Sequence, residues 1–411
     1  MAHGIHHRAR LGGADYFFVA VAEQARRAGV EHSLCRTVVE LTGDLEQTRL
    51  NDAIVAAGLS GWRGPAELRG HPPWSRPCWQ QGPVTAYGAA RFPIDLSIAH
   101  SGQHTSITLS WDHGRMDARG ADLLLARLDA ADAGHVLPGG DADDGLSADS
   151  PISIATQLRA ARWLGQAMAQ VCRPPMLTLA RKVETHGAKT LHRVFDFDAG
   201  QTERARSVAS AAGGRFFQST SFLAAAMLAI DRLRRKRGVS PGACVVHVPY
   251  DLRRVGATGP IFANALSFLL YRAEPSDLSS LDRLVSVLKN QMTEQLRTGA
   301  PEKFRDAMHS FLRLPLGAYA RALKGSADGQ VSTFCFSDVG QNIDLTTLFG
   351  LPVRGVVRFA PVPYPPGIQL VMGRSAGCLS FVLSWVQGCL SEQEAGTIEQ
   401  SLRATLGGGV A

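Results

Sequence analysis

The chain has 411 residues, 45% of them hydrophobic and 19% charged, a composition that supports a sizeable core and excludes a disordered chain. The formal net charge is +7, carried mostly by Arg scattered along the sequence. Scattered cations, with no zinc-finger spacing and no basic helix interleaved with aromatics, argue against nucleic-acid binding. They leave an anionic ligand, an acidic carrier protein or a membrane surface, beside the plainer reading of a coding bias.

Seven Cys at widely spaced positions, with no CxxC, point to reduced thiols in a cytoplasmic protein rather than a disulfide scaffold or a zinc site, and no metal is expected. The opening "MAHGIHHRARLGG" has no apolar core, so no signal peptide is expected. Its His3, His6 and His7 read as a frayed terminus rather than metal ligands. No stretch approaches the roughly 18 apolar residues of a membrane span.

In chain order, "CRTVVELTG" (35–43) reads as a strand, and "DLEQTRLNDAIVAAG" as a helix opening on Asp44 as N-cap. "HPPWSRPCWQQGP" is a Pro-rich loop. "DLSIAHSG" and "HTSITLSWDH" read as two strands, the second alternating Ile107, Leu109 and Trp111 on one face. "GRMDARG" breaks that strand, and an amphipathic helix follows over 118–132. Residues 135–152 form an exposed, Gly- and Asp-rich linker or loop within a first lobe, 1–172, and a second lobe spans 173–411. A helix over 153–172 comes after the linker.

The second half repeats this grammar. It reads as the strand "TLHRVFDFDAGQ", the helix "TERARSVASAAG", a long buried helix with a basic last turn, and the strand "ACVVHVPYDLRR". Pro249 marks the point where pairing of that strand stops. "SLDRLVSVLKNQMTEQLR" is helical, "VSTFCFSDVGQN" a strand and turn, and "GIQLVMGRSAGCLSFVLSWV" a hairpin. The last helix opens on a capping box of Ser391 and Glu394.

Three His/Asp pairs are spaced four apart: His113/Asp117, His192/Asp196 and His247/Asp251. With 13 His in the chain, about one such pair is expected by chance, so spacing alone decides nothing. His192 and Asp196 lie along one strand, about 13 Å apart, and cannot touch. His247 sits at a strand end beside Pro249, where a structural role is the better reading. His113 is different. A strand delivers it to a break, Gly114 permits a tight turn, and Gly120 frees the backbone for close approach. Such a His suits a general base. Asp117 reads equally well as the N-cap of the helix at 118–132.

The order of these segments resembles the chloramphenicol acetyltransferase-like superfamily. That group includes condensation domains of peptide synthesis, wax ester synthase and polyketide-associated acyltransferases, and plant HxxxD acyltransferases. "DHGRMDARG" is similar to the HxxxD signature. "LGGADYFF", "HVPYDLRRVG", "GPIFANALSFLLY", "FCFSDVGQN" and the final helix resemble further family segments in the same order. The resemblance implies a mixed α/β (α+β) fold of two acetyltransferase-like lobes in a V around a central tunnel. His113 would remove or hold the proton of the attacking hydroxyl or amine. Asp117 would pair with an Arg of the second lobe, with Arg253 the first choice and Arg254 the second. Ser337 is a possible oxyanion donor, although a turn-capping hydroxyl is its plainer reading. Arg253, Asp112 and Asn264 take binding or structural places. Asp112 stands where many relatives have His, and Ala118 where they have Gly. Asp112 would raise the pKa of His113 if close, or point away from it.

The implied activity is that of a free-standing acyltransferase of specialised metabolism, a cytoplasmic monomer without a bound cofactor. Its donor would be acyl-CoA or a phosphopantetheinyl thioester on a carrier protein, and its acceptor a small alcohol or amine. The alternatives are a non-catalytic scaffold that docks carrier proteins and a lipid acyltransferase at a membrane surface.

Overall fold

The structure, a computed structural model, describes residues 8–57, 59, 78–80, 94–135, 152–181, 186–324, 330–340 and 346–407. The His-rich opening, nearly all of the Pro-rich loop and residues 136–151 of the expected linker lie outside this set.

The first half runs β1 (Arg8–Arg10), α1 (Gly13–Arg27), β2 (Cys35–Thr42), α2 (Gln47–Ala56), β3 (Cys78–Gln80), β4 (Asp95–Ser101), β5 (His104–Trp111), α3 (Ala118–Asp132) and α4 (Ile154–Val171). The second begins β6 (Thr190–Asp196), α5 (Ala199–Gly213), α6 (Gln218–Lys236), β7 (Cys244–Asp251), β8 (Leu266–Ala273), α7 (Leu281–Arg297), α8 (Ala300–Ser310) and α9 (Leu316–Lys324). It closes with β9 (Phe334–Asp338), β10 (Thr347–Leu348), β11 (Leu351–Phe359), β12 (Ile368–Ser375), β13 (Cys378–Val386) and α10 (Glu392–Thr405).

Two main sheets result, one in the order β10-β11-β2-β5-β4 and one in the order β6-β13-β12-β9-β7-β8. In β5 the alternation works as read: Ile107, Leu109 and Trp111 are buried against Leu124, Leu125 and Leu128 of α3. On the second sheet α6 buries Phe222, Leu223, Met227, Ile230 and Leu233 between the strands and α10. That burial is why so apolar a helix can exist in a folded chain.

β8 is an edge strand whose eight residues are all buried. Its open edge is closed by side chains of α7. Gln295 accepts from Leu270 N at 2.8 Å and donates to Leu270 O at 2.9 Å. Gln291 does the same for Arg272, at 3.0 and 2.6 Å. Two glutamines one helical turn apart thus stand in for a missing strand and satisfy the edge amides.

The proposed division at 172/173 follows chain order, and the sheets interleave across it. β11, from the second half, pairs antiparallel with β2 from Val353↔Leu41 to Phe359↔Arg36, with a register shift between Val353 and Gly355. A buried pair, Arg358 Nη2 to Asp122 Oδ1 at 2.8 Å, ties this crossover strand to α3. β12 then returns to the second sheet.

Three local expectations are corrected. Asp44 does not cap α2: the helix starts later, Glu46 holds the N-cap position, and Asp44 instead meets His100 Nδ1 at 2.8 Å. Pro249 does not end its strand, because β7 pairs with β8 as far as Asp251↔Leu266. Pairing to β9 does stop just before it, at His247↔Cys335, since Pro has no N–H to give. α5 starts at Ala199 because Asp198 and Gln201 form a capping box.

Among the described residues no helix is long and apolar enough to cross a membrane.

Candidate functional site: a histidine at the junction of two sheets

β5 ends at Trp111 and α3 begins at Ala118, and the intervening turn is held from inside. Trp111 Nε1 donates to Met116 O at 2.8 Å, Arg115 N to Asp112 O at 3.0 Å, and Gly114 N to Asp112 Oδ1 at 2.8 Å. Gly114 is there for space rather than for backbone conformation, because a Cβ would lie 2.7 Å from Val19 Cγ2. Gly120 permits the close approach read from the sequence: a Cβ there would sit 2.2 Å from the Ile261 carbonyl oxygen.

Both readings of Asp117 hold, one for each oxygen. Oδ1 caps α3 by accepting from Gly120 N at 2.7 Å. Oδ2 accepts from Arg253 Nη1 at 2.9 Å and from Ala265 N at 2.9 Å. Arg253, the first-choice partner, has its side chain 1% exposed, so the pair is shielded from water. The guanidinium is held further by the carbonyls of Pro260 and Ala263 and by Asp251. A buried pair satisfied on both sides fixes the turn relative to the segment after β7.

His113 stands on this turn. Its ring stacks on Phe18 of α1, with centroids 3.6 Å apart and planes 10° from parallel. Nδ1 lies 3.2 Å from Asn264 Oδ1, and Asn264 Nδ2 donates to the His113 carbonyl at 2.7 Å. An amide oxygen only accepts, so Nδ1 carries the hydrogen and Nε2 keeps its lone pair. Burial lowers the imidazole pKa below its ordinary value, outweighing the opposing pull of its own carbonyl and of the carboxylates of Asp117 and Asp112. The ring is therefore neutral at pH 7. Asp112 points away from it: Oδ1 takes Gly114 N, and Oδ2 lies 3.2 Å from His32 Nε2. Its hydrogen bond raises the pKa of His32.

The turn borders a cavity of about 540 Å³ between the two sheets. His113, Asp117 and Arg119 reach it from the first sheet's side, and His247, Ser337 and Gln369 from the second. Phe18, Phe268, Phe304 and Met308 make much of the remaining wall apolar. Among the described residues no group of three or more His, Cys, Asp or Glu is placed to hold a metal.

No protein-family model and no curated protein sequence matches the chain. Solved structures do. The first condensation domain of the calcium-dependent antibiotic synthetase, solved with a substrate analogue, superposes with a TM-score of 0.67 at 16% identity, over 97% of this chain and 96% of that one. Polyketide synthase associated protein 5 from Mycobacterium tuberculosis gives 0.65 at 16%, over 97% and 98%. The trichothecene 15-O-acetyltransferase from Fusarium sporotrichioides gives 0.65 at 11%, over 97% and 95%. The chain has the condensation-domain fold. It is the chloramphenicol acetyltransferase-like architecture, with two lobes that share one cavity.

Within this condensation fold the other sequence candidates separate. Ser337 lies on the cavity wall in register with Val371, and among the described residues its hydroxyl makes no hydrogen bond. It is not the turn cap: Asp338 Oδ1 takes that place, accepting from Gly340 N at 2.9 Å. Arg254 is exposed. His192 is removed from the site, with Nδ1 2.8 Å from Ser384 Oγ and its ring edge-on to Phe359.

Sequence reasoning undervalued His247 and missed Gln369. Both line the cavity, in one row with Cys335 across β7, β9 and β12. His247 Nε2 and Gln369 Oε1 are buried, and neither has a hydrogen-bond partner among the described residues. The row is uncharged at pH 7, since burial takes His247 down to about 4 and the Cys335 thiol up to about 12. Asp15, Phe18 and His32 also escaped notice. Their partners lie far off in sequence, and no local spacing announces them.

Proposed function

We propose that the chain moves an acyl group from a thioester to the hydroxyl or amine of a small acceptor, with His113 as general base. Nε2 takes the proton from the acceptor as its oxygen or nitrogen attacks the thioester carbonyl. The tetrahedral oxyanion collapses, the C–S bond breaks, and the leaving thiolate recovers the proton from the imidazolium. Thioester and acceptor become ester or amide and free thiol, and His113 ends neutral as it began. Ser337 Oγ is the proposed donor to the oxyanion.

One observation carries this reading. A neutral imidazole stands at a largely apolar cavity shared by both sheets, with Nδ1 occupied by Asn264 and Nε2 without a hydrogen bond among the described residues. A base must be unprotonated at working pH and turn its lone pair toward the reacting proton, and these features supply both conditions. Support comes also from the neighbours, which include synthetase condensation domains and an O-acetyltransferase. The donor we propose is acyl-CoA or a carrier-protein thioester.

The test is thiol release from a panel of CoA and pantetheine thioesters, each with alcohol and amine acceptors. His113→Ala is expected to lower the rate by roughly 10²–10⁴-fold with the fold intact, the usual share of general-base catalysis. Turnover by His113→Ala at the wild-type rate would remove His113 from the role.

A further inference from the structure

Asp15 sits in the first turn of α1 and lies 249 residues from Asn264 in sequence, yet the two are in direct contact. Three N–H groups converge on the Asp15 carboxylate. Gly12 N reaches Oδ2 at 2.7 Å, while Asn264 N and Asn264 Nδ2 reach Oδ1 at 2.7 and 2.9 Å. Three donors around one carboxyl group favour its ionised form, against a burial that raises its pKa to about 6, so that at pH 7 it is mostly ionised. The residue is 6% exposed. Its capping of α1 requires only the oxygen that takes Gly12 N. The other oxygen is given entirely to Asn264.

That second contact has a directional consequence. Asn264 has one amide nitrogen and one amide oxygen, and reversing the group would set its oxygen against the Asp15 carboxylate. The repulsion of two acceptors keeps the NH₂ toward Asp15 and the His113 carbonyl, so the oxygen must face His113 Nδ1. We infer that Asp15 is a positioning residue for His113: through Asn264 it holds the hydrogen on Nδ1 and leaves Nε2 as the basic nitrogen.

The arrangement works as a relay of orientation rather than of protons. No proton moves along it in a catalytic cycle. At pH 7 and above Asp15 is mostly ionised, Asn264 stays fixed, and only Nε2 gains and loses hydrogen. Phe18, three residues along the same helix, holds the ring plane from one side. α1 thus supports the rotation of the imidazole and, through Asn264 and beside the ring's own carbonyl, its tautomer. For catalysis the inference rests on the acyl-transfer reading above; for the tautomer it stands on the hydrogen bonds alone.

The experiment has two arms. In the first, protein labelled with ¹⁵N-histidine is examined by long-range ¹H–¹⁵N correlation, with His113 assigned by the cross-peaks lost in His113→Ala. Wild type should show His113 as the Nδ1–H tautomer, and Asp15→Leu should shift it toward a mixture. Asn264→Leu, which removes the acceptor facing Nδ1, should give the same mixture. In the second arm, kcat for thiol release should fall at least about tenfold in Asp15→Leu with acceptor KM little changed, since a wrong tautomer disables a His base without emptying the site.

An unchanged tautomer in folded Asp15→Leu overturns the inference. So does a folded Asn264→Leu that keeps the wild-type tautomer. If wild type turns over no thioester, the acyl-transfer reading fails and the first arm still decides the role of Asp15.

Discussion

At the scale of single residues, His247 shows how burial sets charge. Its imidazole lines the cavity, Nε2 has no hydrogen-bond partner among the described residues, and its pKa falls to about 4 against an ordinary 6.5. Between these values the unfolded chain binds a proton that the folded chain refuses. Stability from this residue is therefore whole above pH 6.5 and is lost progressively as pH falls toward 4. His247→Phe should flatten the fall in melting temperature between pH 6.5 and 4, an effect of about 3 kcal/mol at most. An identical pH profile for the two proteins would mean that His247 is charged or solvated in the folded state. The same sign holds for His113, lowered by burial, so activity should fall only on the acid side.

At the scale of elements, the turn between β5 and α3 is fixed by contacts that the sequence announces only in part. Gly→Ala inside a helix ordinarily stabilises by about 1 kcal/mol. At Gly120 the sign should reverse, because the new methyl would lie 2.2 Å from the Ile261 carbonyl, and overpacking of this kind costs about 1–3 kcal/mol. Asp117→Ala should cost more, about 3–5 kcal/mol, since it strands Arg253 in a buried site and uncaps α3 together. Chemical denaturation of both variants checks the order, and an Asp117→Ala milder than Gly120→Ala would contradict the anchoring role.

What was legible here is instructive. His113, Asp117 and Gly120 are readable because the turn is local, and Arg253, 136 positions from Asp117, only through the resemblance in segment order. Asp15 was not, since its hydrogen bonds to Asn264 span 249 positions and a lone Asp in a first turn looks like any helix cap. β11 was missed for a related reason. Its sequence "LPVRGVVRF" buries only Val356 and Arg358 fully, so the alternation that marks a strand is faint. The partner that makes it a strand, β2, lies more than 300 residues earlier.

At the scale of the molecule, the cavity is bounded by both sheets and by α1, α4 and α8, so a ligand held there touches most of the fold. A non-hydrolysable thioester analogue at about a hundred times its Kd should stabilise the protein by about 2.7 kcal/mol in a thermal scan. Ser337→Phe, on the cavity wall, should abolish that shift while leaving the unliganded melting point near that of wild type. A shift that persists in Ser337→Phe would place the ligand elsewhere.

The crossover strand β11 bears on how the chain is made. β2, β4 and β5 leave the ribosome early, but the edge of β2 stays open until residues 351–359 follow. At about 5–20 residues per second that wait lasts on the order of 15–60 s. During it an unpaired strand edge is available to any neighbouring nascent chain. Slower synthesis between the two strands is therefore expected to lower yield, and the first sheet, although begun first, is completed only when β11 arrives.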